Sequence, residues 1–167
     1  MSVIAVKILP DVIEIASDSI TVRGWTQSKS TNSYSKLTQV NGMTIGSTGT
    51  AEESALLYVF CSTRRPEQAS EAALINFLSE FSDWKNKKTN SPTINNDYIF
   101  IVDSHVFGVQ SFFVEEIFNF SAIGAGMDFA LAALHLGHDV DKAVEIACEL
   151  SIFCELPCKK YEVALSN

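Results

Sequence analysis

Ser2-Val3-Ile4-Ala5-Val6-Lys7 follows Met1, and Ile15-Ala16-Ser17-Asp18-Ser19 closes the segment that answers it. Val3 to Ile8 is apolar and β-branched, Leu9-Pro10-Asp11 signals a turn, and Val12 to Ala16 alternates. Two such runs across a turn predict a β-hairpin. The pattern recurs at Lys36-Leu37-Thr38-Gln39-Val40, Asn41-Gly42 and Met43-Thr44-Ile45. Asn-Gly tolerates the positive φ of a tight turn, so this is a second hairpin.

Downstream, the spacing changes. Gly46-Ser47-Thr48-Gly49-Thr50 reads as a small-residue bend. Ala51 to Ser62 reads as a helix with Ala55, Tyr58 and Val59 on one stripe. Thr50 or Thr48 suits its cap, and Glu52 and Glu53 suit its positive first turn. Arg65-Pro66 breaks it, and Glu67 to Trp84 forms the next helix with Ala73, Phe77, Leu78 and Phe81 inward. Arg23 to Ser35 and Lys85 to Asn96 are polar and read as loops. Tyr98 to Val102 and Val106 to Val109 are strands across Asp103-Ser104, Phe112 to Phe120 reads as another strand, and Ser121 to Gly126 as a strand running into a Gly bend. Met127 to Leu136 and Val140 to Phe153 are helices, the second entered through His138-Asp139, and Lys159 to Leu165 is a final strand.

Strands, two helices, strands, two helices and a strand imply an α+β layered fold. Two antiparallel sheets packed face to face, with a helical layer outside each, bury both helix pairs. This four-layer αββα sandwich is expected to be a single domain over residues 1–167, since no repeat and no linker divides the chain.

Composition narrows the function. The chain has 167 residues, 47% of them apolar, and a net charge of −8. That suits a globular domain with a full-sized core. The negative balance argues against nucleic acid, whose binding needs clustered Lys and Arg. Lys85, Lys87 and Lys88 read as a solvated helix end. Four cysteines, Cys61, Cys148, Cys154 and Cys158, form no CxxC pair and have no histidine at zinc spacing, which argues against a structural metal site. Cys148 and Cys154 read as small buried hydrophobes of one helical pattern. The opening lacks a basic signal-peptide start, and no apolar run suits a bilayer, so a reducing, cytoplasmic setting is expected.

Ser2 carries the chemistry. Once Met1 is removed, a terminal serine supplies both a nucleophilic Oγ and an α-amine to take its proton. That amine has an ordinary pKa of about 7.7–8.0, so no histidine is required. A terminal nucleophile with its own amine is one variant of the catalytic triad. Asp18, between Ser17 and Ser19, also fits a turn after a strand. His105 lies in a turn, and His135 and His138 flank a helix end. A Ser–His–Asp site needs a Gly-x-Ser-x-Gly elbow, which the chain lacks. Gly46 to Gly49 is not a phosphate loop, because no Gly-Lys-Ser/Thr follows. Glu115-Glu116 reads as a solvated pair, and Phe112, Phe113, Phe118 and Phe120 as a candidate oligomer interface.

Together these pieces resemble the HslV-type peptidase, the bacterial proteasome-like β-subunit, and more distantly proteasome β-subunits. The resemblance runs over the whole chain. It rests on the N-terminal hydroxyl, the hairpin ending in Ile15-Ala16-Ser17-Asp18, Lys36 opening the next hairpin and the Gly46 to Ala51 bend. It continues in Ala122-Ile123-Gly124-Ala125-Gly126, Phe129-Ala130-Leu131-Ala132-Ala133 and Ala143-Val144-Glu145-Ile146-Ala147. The resemblance implies an N-terminal-nucleophile (Ntn) hydrolase with Ser2 as nucleophile, Asp18 as the aspartate and Lys36 as the lysine. It implies a backbone oxyanion hole, with Gly49 the first choice for the N–H and Ser47 the next. A lysine charge near Ser2 would keep the α-amine neutral and basic, and Asp18 would anchor that lysine.

The resemblance also implies a homo-oligomeric ring, usually stacked in pairs, an ATP-driven AAA+ unfoldase partner and unfolded polypeptide as substrate. Hydrolysis itself would need no cofactor. ATP would serve only the unfoldase; family members can bind a monovalent cation through backbone carbonyls at positions matching Cys148, Ser151 and Cys154, and the side chains there neither support nor exclude a site. Three departures stand out. Serine replaces the usual threonine, Ala125 replaces an assisting hydroxyl for which Ser121 and Ser17 are the nearby candidates, and the segment between Asp18 and Lys36 is slightly long. An inactive ring-forming relative and a small-molecule amidase of the same fold therefore stay open.

Overall fold

The structure is a computed structural model, and it describes residues 1–27 and 35–165. The first hairpin forms as β1 (Ile4–Ile8) and β2 (Val12–Ser17), with Ile4 opposite Ser17 and Ile8 opposite Ile13. A two-stranded ribbon, β3 (Val22–Arg23) and β4 (Thr26–Gln27), begins the region expected to be a loop. Residues 28–34 of that expected loop lie outside the described residues. The second hairpin is β5 (Leu37–Val40) and β6 (Met43–Thr48), with φ of 50° at Asn41 and 75° at Gly42. These are the two positive values a tight hairpin turn requires.

Two helices follow, α1 (Ala51–Cys61) and α2 (Glu71–Thr89). Then come β7 (Asp97–Val102), β8 (His105–Gln110), β9 (Phe113–Ile117) and β10 (Phe120–Ile123). Helices α3 (Met127–His135) and α4 (Val140–Leu150) precede the last strand, β11 (Lys159–Ala164). One antiparallel sheet has the order β10-β1-β2-β11, and the other β5-β6-β7-β8-β9.

Three cores separate the four layers. Ile4, Val6, Ile13 and Ile15 meet Leu37, Ile99, Ile101 and Val106 between the sheets. The alternate residues Val3, Ala5 and Ala16 face the helical layer of Ala130, Ala133, Ala143 and Ala147. A strand covered on both faces reads as a continuous apolar run, which is why Val3 to Val6 shows no polar position. The opposite helical layer buries Leu57, Phe60, Phe77 and Phe81 against Met43, Ile45, Tyr98 and Phe100. Each such side chain contributes about 1.5–3 kcal/mol by leaving water.

Several expectations shift. The buried face of α1 is Leu57, Phe60 and Cys61, and Val59 is 60% exposed. Ala55 to Cys61 is apolar at every position, so periodicity cannot set its phase. Helix α2 starts later, at the Ser70 cap, and runs to a left-handed Asn90, so its last turns occupy the expected Lys85–Asn96 loop. The expected strand Phe112 to Phe120 breaks at Phe118-Asn119, and its two ends join different sheets. Helix α4 ends at Leu150, which leaves Cys154 in the following loop.

Candidate active site

The first hairpin brings Ser2 and Asp18 side by side. Just beyond the paired strands, Val3 N–H donates to Asp18 Oδ1 at 2.9 Å, and Asp18 N–H donates to Val3 O at 3.2 Å. The Asp18 carboxylate is saturated. Oδ2 accepts Ile20 N–H at 3.1 Å and Glu155 N–H at 3.2 Å, and Oδ1 also accepts Lys36 Nζ at 2.6 Å. Asp18 is 2% exposed and Lys36 7%. Burial pushes Lys36 below the ordinary lysine value, and the Asp18 charge and hydrogen bond oppose that shift.

Ser2 is held by its backbone. Its carbonyl accepts Gly126 N–H at 3.1 Å. A Cβ on Gly124 would lie 2.5 Å from that carbonyl oxygen, so only glycine lets the β10–α3 bend approach so closely. With Met1 attached, Ser2 Oγ donates to Met1 O.

Ser2, Lys36 and Gly49 line one cleft of about 120 Å³ together with Met1, Ile20, Thr21, Val22, Ser47, Ala51 and Ser54. Gly49 has a φ of 127°, which favours glycine, and its N–H makes no hydrogen bond among the described residues. Ser47 N–H is committed to Lys36 O at 2.9 Å. Of the two donors weighed for an oxyanion, Gly49 is therefore the one left unused. The arrangement gathers a hydroxyl, an anchored ammonium group and an unused backbone donor, which is the equipment for acyl transfer.

Comparison with solved structures places the fold. Thiobacillus denitrificans BPH in complex with epoxomicin superposes with a TM-score of 0.87 at 21% identity, covering 99% of this chain and 100% of that one. Eukaryotic HslV from Trypanosoma brucei gives 0.70 at 18% identity, covering 97% and 99%. Anbu, the ancestral beta-subunit from Yersinia bercovieri, gives 0.71 at 14%, covering 96% and 80%. The chain has the proteasome β-type, Ntn-hydrolase fold. No protein-family model and no curated protein matches the sequence.

Within this scaffold Ser2, Lys36 and Gly49 line one cleft, and Asp18 is bonded to Lys36 behind it. Ser17 and Ser121 are not among the cleft-lining residues. Besides Ser2, the hydroxyl residues Thr21, Ser47 and Ser54 line the cleft, and the Ser47 and Ser54 hydroxyls are 2.5 Å apart. Ser54 sits in the first turn of α1, where the sequence signals capping and not a cleft. The thiols are poor competitors for the nucleophile's role, since burial pushes Cys61, Cys148 and Cys158 up to about 12.

Of the carbonyls assigned to a monovalent cation, that of Ser151 already accepts Cys154 N–H at 3.2 Å. Among the described residues no His, Cys, Asp and Glu cluster can hold a metal ion, and no helix is long and apolar enough to cross a membrane.

Proposed function

We propose that the chain is an N-terminal-nucleophile peptidase subunit that hydrolyses peptide bonds of unfolded polypeptide. One observation carries the reading. Ser2 shares a cleft with Lys36, whose ammonium is tied to a saturated Asp18 carboxylate at 2.6 Å.

Removal of Met1 frees the Ser2 α-amine and the hydroxyl now turned to the Met1 carbonyl. Ser2 Oγ attacks the scissile carbonyl carbon while the α-amine accepts its proton. The Lys36 charge, kept by Asp18, favours the neutral form of that amine and steadies negative charge on the attacking oxygen. The carbonyl oxygen, now an oxyanion, meets the Gly49 N–H. The amine returns the proton to the leaving nitrogen, an ester forms on Ser2, and water activated by the same amine hydrolyses it. The Ser47 and Ser54 hydroxyls supply cleft polarity where Ala125 supplies none.

The proteasome β-type fold supports the coarser part of this reading. The finer part extends it to a homo-oligomeric, stacked ring in a cytoplasmic setting, fed by an AAA+ unfoldase. The test uses fluorescein-labelled casein, an unfolded substrate that needs no unfoldase. Wild type is expected to hydrolyse it, Ser2→Thr to retain hydrolysis and Ser2→Ala to lose it. Equal rates for wild type and Ser2→Ala would remove the reading and leave a ring-forming or binding scaffold. Sedimentation of the same samples reads the assembly.

A further inference from the structure

Behind the cleft lies a second buried polar centre that the mechanism above does not use. Asn96 is 1% exposed, and its side-chain amide lies where a β-carbon of residue 49 would go. A Cβ built on Gly49 falls 2.1 Å from Asn96 Oδ1 and 2.5 Å from its Cγ. The amide then grips the next residue from both sides. Oδ1 accepts Thr50 N–H at 2.7 Å, and Nδ2 donates to Thr50 O at 2.8 Å and to Ser54 Oγ at 2.9 Å. Thr48, the residue before Gly49, is fixed in β6 opposite Asp97. Gly49 is thus held between a paired strand end and a clamped Thr50.

Asn96 has its own anchor. Its N–H donates to Glu53 Oε1 at 2.9 Å, and Glu53 Oε2 accepts Lys85 Nζ at 2.6 Å. Tyr98 OH and Asn95 N–H also donate to Glu53 Oε1, each at 3.0 Å. Lys85 completes its bonding at Thr93 O. A buried pair of this kind adds little net stability over an apolar pair of equal volume, yet it fixes geometry. Neither charge reaches the cleft.

We propose that Asn96 is a positioning residue that aims the Gly49 N–H into the cleft, with the Glu53–Lys85 pair as its anchor. The kinetic consequence rests on the peptidase reading, and the structural consequence does not. Asn96 touches neither nucleophile nor substrate. It acts through the clamped Gly49–Thr50 peptide, which fixes the orientation of the preceding Gly49 N–H, so its loss is felt where negative charge develops on the substrate oxygen and not where the ground state binds.

The test compares Asn96→Ala and the milder Asn96→Asp with wild type, and uses Asn95→Ala as a control at an exposed neighbouring side chain. Turnover of a fluorogenic peptide amide is expected to fall about 10–100-fold in kcat for Asn96→Ala, with KM changed less than about twofold. Asn96→Asp keeps the acceptor for Thr50 N–H and loses the donors, so it should fall between. Hydrogen exchange of the Thr50 amide, which donates to Asn96 Oδ1, should accelerate at least about tenfold in Asn96→Ala, while the Val3 and Ile20 amides bonded to Asp18 stay protected. Unchanged exchange at the Thr50 amide, a rise in KM at constant kcat, or an equal kcat loss in Asn95→Ala each overturns the proposal. If wild type proves inactive the peptidase reading fails, and the exchange result alone decides whether Asn96 positions Gly49. If Asn96→Ala does not fold, Asn96→Asp carries both readouts.

Discussion

Among the described residues two lysine–carboxylate pairs are buried, both at 2.6 Å, and their surroundings differ. Lys85 lies outside the cleft. It donates to Glu53 and to Thr93 O, and Glu53 accepts from three further donors, the Asn95 and Asn96 N–H groups and Tyr98 OH. Lys36 is left open. Among the described residues its ammonium donates only to Asp18, and its remaining donor capacity faces the cleft. The three other hydrogen bonds to Asp18 come from backbone N–H groups of three separate segments, so the carboxylate is fixed by the fold itself. On the proposed mechanism the pair that opens on the cleft serves chemistry, and the more fully bonded pair serves shape.

Breaking each pair should therefore have a different signature. Lys36→Met has the largest expected effect on function. It removes the ammonium from the cleft, and peptide turnover should fall about 10²–10⁴-fold while the far-UV CD spectrum is preserved. Activity within tenfold of wild type would place the proton chemistry elsewhere. Gly49→Ala comes next. Its Cβ would collide with the Asn96 amide, and kcat should fall about 10²–10³-fold.

Lys85→Met reverses the pattern. Glu53 would be left buried without its counter-charge, and calorimetry should show a stability loss of about 3–5 kcal/mol. A loss below about 1 kcal/mol would show that Glu53 has another route to neutrality. The pairs should also answer to opposite ends of the pH scale. Burial pushes the Glu53 carboxyl up, but Lys85, the Asn96 and Asn95 N–H groups and Tyr98 together hold it below the ordinary glutamate value. Its stabilising contribution is complete above that ordinary value and is lost as pH falls through the lower folded one. Lys36 has a lowered value in the fold, so its charge costs stability at neutral pH, and the cost is relieved as pH rises toward the ordinary lysine value. Stability profiles of Glu53→Gln and Lys36→Met should diverge from wild type on the acid and alkaline limbs respectively.

The smallest effect is expected at the exposed Arg65–Asp103 pair, whose side chains are 37% and 57% accessible. Arg65→Ala should cost about 0–1 kcal/mol and leave turnover unchanged.

The first pair was legible in the sequence and the second was not. Ser2, Asp18 and Lys36 stand at the ends of hairpins whose turns, Leu9-Pro10-Asp11 and Asn41-Gly42, carry unmistakable chemistry. Their order along the chain then matched a known pattern. Glu53, Lys85 and Asn96 come from three distant segments, and each has an adequate local explanation: a helix first turn, a basic helix end, a polar loop. Only the packing of α2 across α1 joins them. The phase of α1 was hidden for a related reason, since an all-apolar run from Ala55 to Cys61 fits any orientation. The break at Phe118-Asn119 carries no Gly or Pro, so a single long strand looked equally good.

The most direct test is the intact mass of the purified protein before and after exposure to epoxomicin, a peptide epoxyketone, with the adduct mapped by fragmentation. The account predicts a chain lacking Met1 that gains one inhibitor mass at Ser2, with no gain in Ser2→Ala. A chain that keeps Met1, or an adduct that forms equally in Ser2→Ala, would contradict it.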